Sequence, residues 1–356
     1  MKRIMSVILG VLILMITAGC ILQYRKGEGE TSCTKELFAM DTVMSFTAYG
    51  SKAEEAVDAA MKEIERLDAL LSTGKESSEI SQLNAAGSFL VSEDTKMLLK
   101  AAETVYGSTD GSFDVTIYPL MQLWGFPTGD YHVPTEAELS EVLPLVNASR
   151  IRLEGSRVTL GEGQRIDLGG IAKGYASERV MEIYREYGVT SGMVSLGGNI
   201  QTLGAKPDGT AWKIGIRDPE TEKEGNSGSG AGGILLALPV ENQAVITSGG
   251  YERYFEENGE TYIHILDPRT GYPADSGLLS VTVVSENGML ADALSTSLYI
   301  MGAEKAAEYW RAHGSDSGNA FELILVDTFG KVYATEGLRD KIEMQDTERQ
   351  VKILER

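Results

Sequence analysis

Apolar and polar positions divide the chain into three stretches. Residues 4–16 form an apolar run behind Lys2 and Arg3, and Thr17, Ala18 and Gly19 lead into Cys20. Residues 23–35 are polar, carry Gly27, Gly29 and charges, and read as a flexible spacer. From residue 37 onward the texture is globular. Residues 37–49, LFAMDTVMSFTAY, are rich in β-formers, and 52–71 then switch to helical spacing. There Ala56, Val57, Ala60, Met61, Ile64, Leu67 and Leu71 make one apolar stripe opposite Glu and Lys, so this helix should pack on a sheet. A second helix is predicted over 93–106, and Thr135 with Glu138 has the capping-box spacing that opens a third. Beyond Gly188 short β-rich pieces follow at 192–196, 212–217, 234–240, 244–247, 262–266 and 279–285. Two helices, 289–301 and 303–313, precede a last pair of strands near 321–326 and 331–334. Helices and strands mix without a regular βαβ or solenoid repeat, which predicts an α+β fold.

The first stretch has the layout of a secretory signal peptide, with a positive end, an apolar centre and small residues at the cut. Small residues immediately before a cysteine resemble the bacterial lipobox, in which that cysteine is acylated and becomes the mature N-terminus. Thr17 departs from it, standing where a larger aliphatic residue is usual. The alternative is an uncleaved anchor, since residues 4–22 could just span a bilayer. Either way the rest is tethered outside the cytoplasm, at the extracytoplasmic face of a bacterial cell membrane. The expected organisation is a lipoprotein signal peptide over 1–19, a lipid-anchored spacer over 20–36 and one domain over 37–356. With Cys20 acylated, Cys33 is a lone thiol; without lipid, a Cys20 to Cys33 disulfide is the alternative.

Charge and composition narrow the chemistry. The 356 residues hold 32 Lys and Arg against 52 Asp and Glu, a formal net charge of -20, with no basic block beyond the first three residues. That excludes a nucleic-acid groove, which needs clustered positive charge. Two cysteines and three histidines (His132, His264 and His313), with no CxxC, leave little for a His/Cys metal cluster, so a bound metal would take oxygen ligands. A GxGxxG match at Gly228, Gly230 and Gly233 precedes a strand-like run rather than a helix and reads as a flexible hairpin insertion. Three other segments carry denser chemistry. In DLGGIAKG, 167–174, glycines at a strand-to-helix junction let backbone N–H groups approach an anion, and Lys173 adds a full charge; a tight turn is the alternative. In MLADALSTSLYIM, 289–301, Asp292 and Thr296 lie one helical turn apart and could share a hard cation, or Asp292 could simply be a cap. In HILDPRTG, 264–271, His264 ends a strand at a Pro and Gly turn.

Seven segments in order resemble the ApbE family of flavin transferases, the FAD:protein FMN transferases. They are AMDT at 39–42, GSFDVTIYPLMQLWGF at 111–126, IDLGGIAKGYA at 166–176, SLGGNI at 195–200, TSGGYERYF at 247–255, HILDPRTGYP at 264–273 and ADALSTSL at 291–298. The resemblance covers nearly all of the exported chain and implies an α+β fold. It implies that Asp292, Thr296 and the backbone carbonyl of Gly170 hold Mg2+. It implies FAD contacts at Met40, Trp124, Gly125, Phe126, Asp167, Lys173 and the backbone of Leu266, although Trp124 and Phe126 could also be core aromatics. His264 matches a histidine proposed to assist proton transfer. Asp41 stands where the family often has Gly, and Gly74 where some members place an aromatic residue near the nucleotide. The implied reaction transfers FMN from FAD to a Thr or Ser hydroxyl, releasing AMP, and the implied acceptors are membrane-bound flavoprotein subunits of ion-translocating redox complexes. An FAD pyrophosphatase and a non-catalytic FAD-binding lipoprotein are the alternatives.

Overall fold

The computed structural model describes residues 31–223, 233–346 and 348–356. The signal peptide, Cys20 and most of the 225–233 glycine segment, with Gly228 and Gly230, lie outside the described residues. The chain opens with β1 (Ser32–Ala39), β2 (Thr42–Tyr49), α1 (Ala53–Leu71), α2 (Glu79–Ala86), β3 (Ser88–Leu90) and α3 (Glu93–Ser108). Next come α4 (Tyr118–Leu123), α5 (Glu136–Val142), β4 (Arg152–Glu154), β5 (Arg157–Thr159), α6 (Ala172–Glu186), β6 (Ser191–Leu196), β7 (Asn199–Leu203), β8 (Trp212–Arg217) and α7 (Pro219–Lys223). The remainder is β9 (Ile234–Val240), β10 (Ala244–Gly249), β11 (Tyr254–Glu257), β12 (Glu260–Ile263), β13 (Leu278–Ser285), α8 (Gly288–His313), β14 (Phe321–Asp327), β15 (Val332–Thr335), β16 (Glu343–Met344) and β17 (Val351–Leu354). The α+β class is as expected.

A nine-stranded sheet, ordered β1-β2-β6-β7-β10-β13-β14-β15-β17, organises the molecule. Helices α1, α6 and α8 pack together over it. Between them lies the main core, which takes in Phe46, Ile64, Leu67, Val180, Tyr184, Val283, Leu294 and Leu298. A second core, built on Trp212, Ile214, Leu236, Val284 and Ile324, joins the sheet to the three-stranded β16-β9-β8. Covered by both cores, β13 is buried at all eight positions, which is why LLSVTVVS reads as a continuous β-rich run rather than an alternation. The stripe on α1 behaves as its spacing requires: Ala56, Val57, Ala60, Ile64 and Leu67 have no exposed surface.

Three expectations change. The spacer does not reach residue 36, because β1 begins at Ser32 and pairs with β2 from Ser32↔Tyr49 to Ala39↔Thr42. As the edge strand of the sheet, β1 keeps one face in water, so it reads as polar; on the covered side Lys35 reaches Asp58 of α1 at 2.5 Å. The single β-rich run at 37–49 is a hairpin, turned at Met40 and Asp41 with φ of 48° and 60°. That left-handed conformation suits glycine best, and Asp41 adopts it with a short polar side chain. The strand expected at 262–266 ends at Ile263, and Leu266 makes only an isolated bridge to Pro273. By contrast, the two helices expected at 289–301 and 303–313 are both present within α8, broken by a kink at Gly302, whose φ is 81°.

Candidate active site

The DLGG loop is tied down before α6 begins. Asn84 makes two hydrogen bonds to the Ile166 backbone, at 2.7 and 2.8 Å, and the Asp167 N–H donates to the Val115 carbonyl at 2.8 Å. The Asp167 carboxylate accepts the Gly169 N–H at 2.6 Å and so closes the turn. No side chain of its own loop caps α6. One cap comes instead from α8: the Gly174 N–H donates to Asp292 Oδ2 at 2.8 Å. Reciprocally, Glu178 of α6 accepts the Met289 N–H at the start of α8 at 3.1 Å. Each helix therefore supplies a carboxylate to an N–H in the first turn of the other, placing negative charge at its positive end.

This crossing needs glycine. A Cβ on Gly174 would lie 2.2 Å from the Gly288 carbonyl oxygen and 2.6 Å from Asp292 Cβ. The close approach brings Asp292 and Thr296 beside the DLGG loop, where a Cβ built on Gly170 would stand 3.9 Å from Thr296 Oγ1. Asp292 is 4% exposed, and its second oxygen accepts the Asn199 side-chain N–H at 2.9 Å. Ser248, near the end of β10, lies 2.8 Å from Ser295 Oγ and 3.2 Å from Thr296 Oγ1. Among the described residues no group of three or more His, Cys, Asp or Glu could hold a metal. Asp292 and Thr296 nevertheless set a carboxylate and a hydroxyl one helical turn apart beside the Gly170 backbone, oxygen donors of the kind a hard cation takes.

Around this centre stand Lys173, Asp167, Glu252, Arg253 and His264. Burial pushes the Asp167 carboxyl up, against the Gly169 N–H and the charges of Lys173 and Arg253. His264 hydrogen-bonds through Nδ1 to the Arg253 carbonyl at 3.1 Å. Because that partner can only accept, Nδ1 carries the proton and Nε2 is left as an acceptor. Desolvation, with the Arg253 charge adding to it, pushes His264 down to about 4, so the ring is neutral at pH 7. Glu252 reaches water, yet desolvation by the surrounding protein, with Asp292 adding to it, pushes its carboxyl up to about 7 despite Lys173. Gly169, Glu252 and Arg253 are exposed, so the site is open to solvent.

In the segment at 124–126 the aromatic side chains follow the core alternative. The side chains of Trp124 and Phe126 are 0% and 1% exposed, enclosed with Leu120, Leu139, Phe255 and Leu266. Trp124 Nε1 donates to the Gly271 carbonyl at 2.8 Å. Both side chains are therefore packed as core aromatics. Gly125 has φ of 78°, and a Cβ there would lie 2.0 Å from the Asp130 carbonyl oxygen. Arg253 donates to the Phe126 carbonyl at 2.7 Å and links this segment to His264. Met40 is half-buried at the β1–β2 turn, and its neighbour Thr42 abuts Gly197 in the turn that leads to Asn199. Leu266 is 3% exposed. Sequence reasoning missed Asn199, Glu178, Ser248 and Glu252. Asn199 follows two glycines inside SLGGNI and could have been suspected there; nothing local marks Glu178.

The family model described as the ApbE family matches residues 40–318. The chain is 32% identical over 321 residues to the FAD:protein FMN transferase of Haemophilus influenzae, an alignment covering 86% of this chain and 90% of that protein. It is 35% identical over 248 residues to the protein of the same name from Klebsiella pneumoniae, covering 68% and 74%. The crystal structure of the ApbE protein from Thermotoga maritima superposes with a TM-score of 0.78 at 32% identity, over 87% of this chain and 99% of that one. The flavin transferase ApbE from Vibrio cholerae gives 0.75 at 26%, over 88% and 99%.

Proposed function

The chain belongs to the ApbE family, and we propose that it is an FAD:protein FMN transferase that moves FMN from FAD to a Thr or Ser hydroxyl of a membrane flavoprotein, releasing AMP. The observation that carries this conclusion is the meeting of Asp292, Thr296 and the Gly170 loop at the N-terminus of α6, beside Lys173. Gly170, Asp292 and Thr296 would hold Mg2+. When bound, Mg2+ supplies positive charge against the phosphoryl oxygens and the departing AMP. The positive end of α6 and Lys173 bind the FAD pyrophosphate. His264, neutral and with Nε2 free to accept, orients the acceptor hydroxyl and takes its proton as the oxygen attacks the FMN phosphorus. The new oxygen–phosphorus bond replaces the one to AMP, leaving FMN joined to the acceptor by a phosphoester.

Export and acylation at Cys20 would hold the enzyme on the outer face of the cell membrane. Tethering raises its effective concentration near acceptors in the same membrane, and flavoprotein subunits of ion-translocating redox complexes fit that placement. The test mixes the exported chain with FAD, Mg2+ and an acceptor bearing a threonine, followed by intact mass and in-gel flavin fluorescence. An acceptor mass gain of one FMN, lost on chelation, is expected. Free FMN and AMP without labelling would make the protein a hydrolase, and unchanged FAD would remove the catalytic reading.

A further inference from the structure

The Asp292 carboxylate is held by two donors from different parts of the chain. The Gly174 N–H belongs to α6, which packs directly on α8, so it reports the helix crossing itself. Asn199 comes from the opposite side, as the first residue of β7. It is 5% exposed, and Leu196↔Asn199 closes the β6–β7 pairing across Gly197 and Gly198, whose φ values are 62° and 99°. A carboxylate with one donor can still swing about its Cβ–Cγ bond; a second donor on the other oxygen fixes its plane. Each oxygen then keeps one lone-pair direction unused, and such outer partners commonly orient a metal-binding group and tune its affinity.

We infer that Asn199 is a positioning residue for the cation site: its amide locks the Asp292 carboxylate in the orientation that presents an oxygen beside Thr296 and the Gly170 carbonyl. This rests on the proposed Mg2+ ligation. It also gives SLGGNI a role: the glycine turn exists to bring one amide to one carboxylate.

The test titrates the exported chain with Mn2+, following the EPR signal of the free ion, in parallel with chemical denaturation. Asn199→Leu keeps the branched shape and removes the donor; Asn199→Ala removes both, so one folded variant suffices. The control is Asn287→Ala, because Asn287 caps α8 through the Leu290 N–H at 2.8 Å and is not one of the two donors to the Asp292 carboxylate, Gly174 and Asn199. The Asn199 variants should weaken Mn2+ binding about 10- to 100-fold, while Asn287→Ala loses stability but keeps the wild-type Kd. Wild-type Mn2+ affinity in the Asn199 variants would overturn the inference and leave the metal reading standing. An equal loss in Asn287→Ala would overturn it too, by reducing the effect to general loosening of α8. No Mn2+ binding by the wild-type chain would overturn the metal reading and this inference with it.

Discussion

Replacing Gly174 by alanine should push apart the two helices that frame the active site. The added Cβ would sit 2.2 Å from the Gly288 carbonyl oxygen, 2.8 Å from the Gly288 carbonyl carbon and 2.6 Å from Asp292 Cβ. Ordinary contact begins near 3.4 Å, so α6 and α8 must separate by about 1 Å. Two of these neighbours are backbone and cannot rotate away. Overpacking of this kind costs about 1–3 kcal/mol, and the upper end is expected because the same shift breaks the Gly174 to Asp292 hydrogen bond. Misplacing a ligand by about 1 Å costs on the order of 100-fold in turnover. Gly107→Ala provides the opposite sign. That glycine lies inside α3 with nothing within 4 Å of the added Cβ, so alanine should stabilise by about 0.5–1 kcal/mol and leave activity alone. Chemical denaturation and AMP release measured on both variants decide the matter. If Gly174→Ala stays within about 0.5 kcal/mol of wild type and turns over normally, the helix crossing is not what positions Asp292.

Four further outcomes follow. Asp292→Ala should abolish metal-dependent AMP release, and wild-type activity would remove it from the metal centre. His264→Asn should lower turnover by about 100- to 10,000-fold with FAD binding preserved; an unchanged rate would confine the histidine to structure. The fold holds His264 at about 4, below its unfolded value of 6.5, so the unfolded chain binds more protons between those values. Its contribution to stability is therefore complete above pH 6.5 and declines as pH falls toward 4. Denaturation at pH 7 and pH 5 should show wild type losing more than His264→Asn, and equal losses would refute the depressed titration. Trp124→Phe should cost about 1–3 kcal/mol by leaving the Gly271 carbonyl without its donor. A variant of normal stability but impaired FAD binding would mean that the indole faces ligand after all.

Elements whose signals are local were legible in the chain itself. The α1 stripe, the capping box at Thr135 and Glu138, and strands β8 and β9 appear where periodicity and punctuation place them. The break between the helices at 289–313 was visible in the glycine at 302. The polar start of β1 was not, because an edge strand shows its water-facing side in its sequence. The family motifs supplied Asp292, Thr296, Lys173 and His264 as types of chemistry in order along the chain.

What the chain alone determined was the class of fold, the segments bearing reactive groups and the oxygen character of any metal site, since each depends on residue type and near-neighbour spacing. Tertiary structure decided which groups meet. Asp292 is held by Gly174 and Asn199, 118 and 93 residues away along the chain, and Glu178 caps a helix that begins 110 residues later. It also turned Trp124 and Phe126 inward, because aromatic residues next to a ligand and aromatic residues in a core obey the same apolar pattern. Hydrogen bonds between distant segments leave no periodic trace in sequence, for the partners are chosen by the packing of α6 against α8 and not by their spacing.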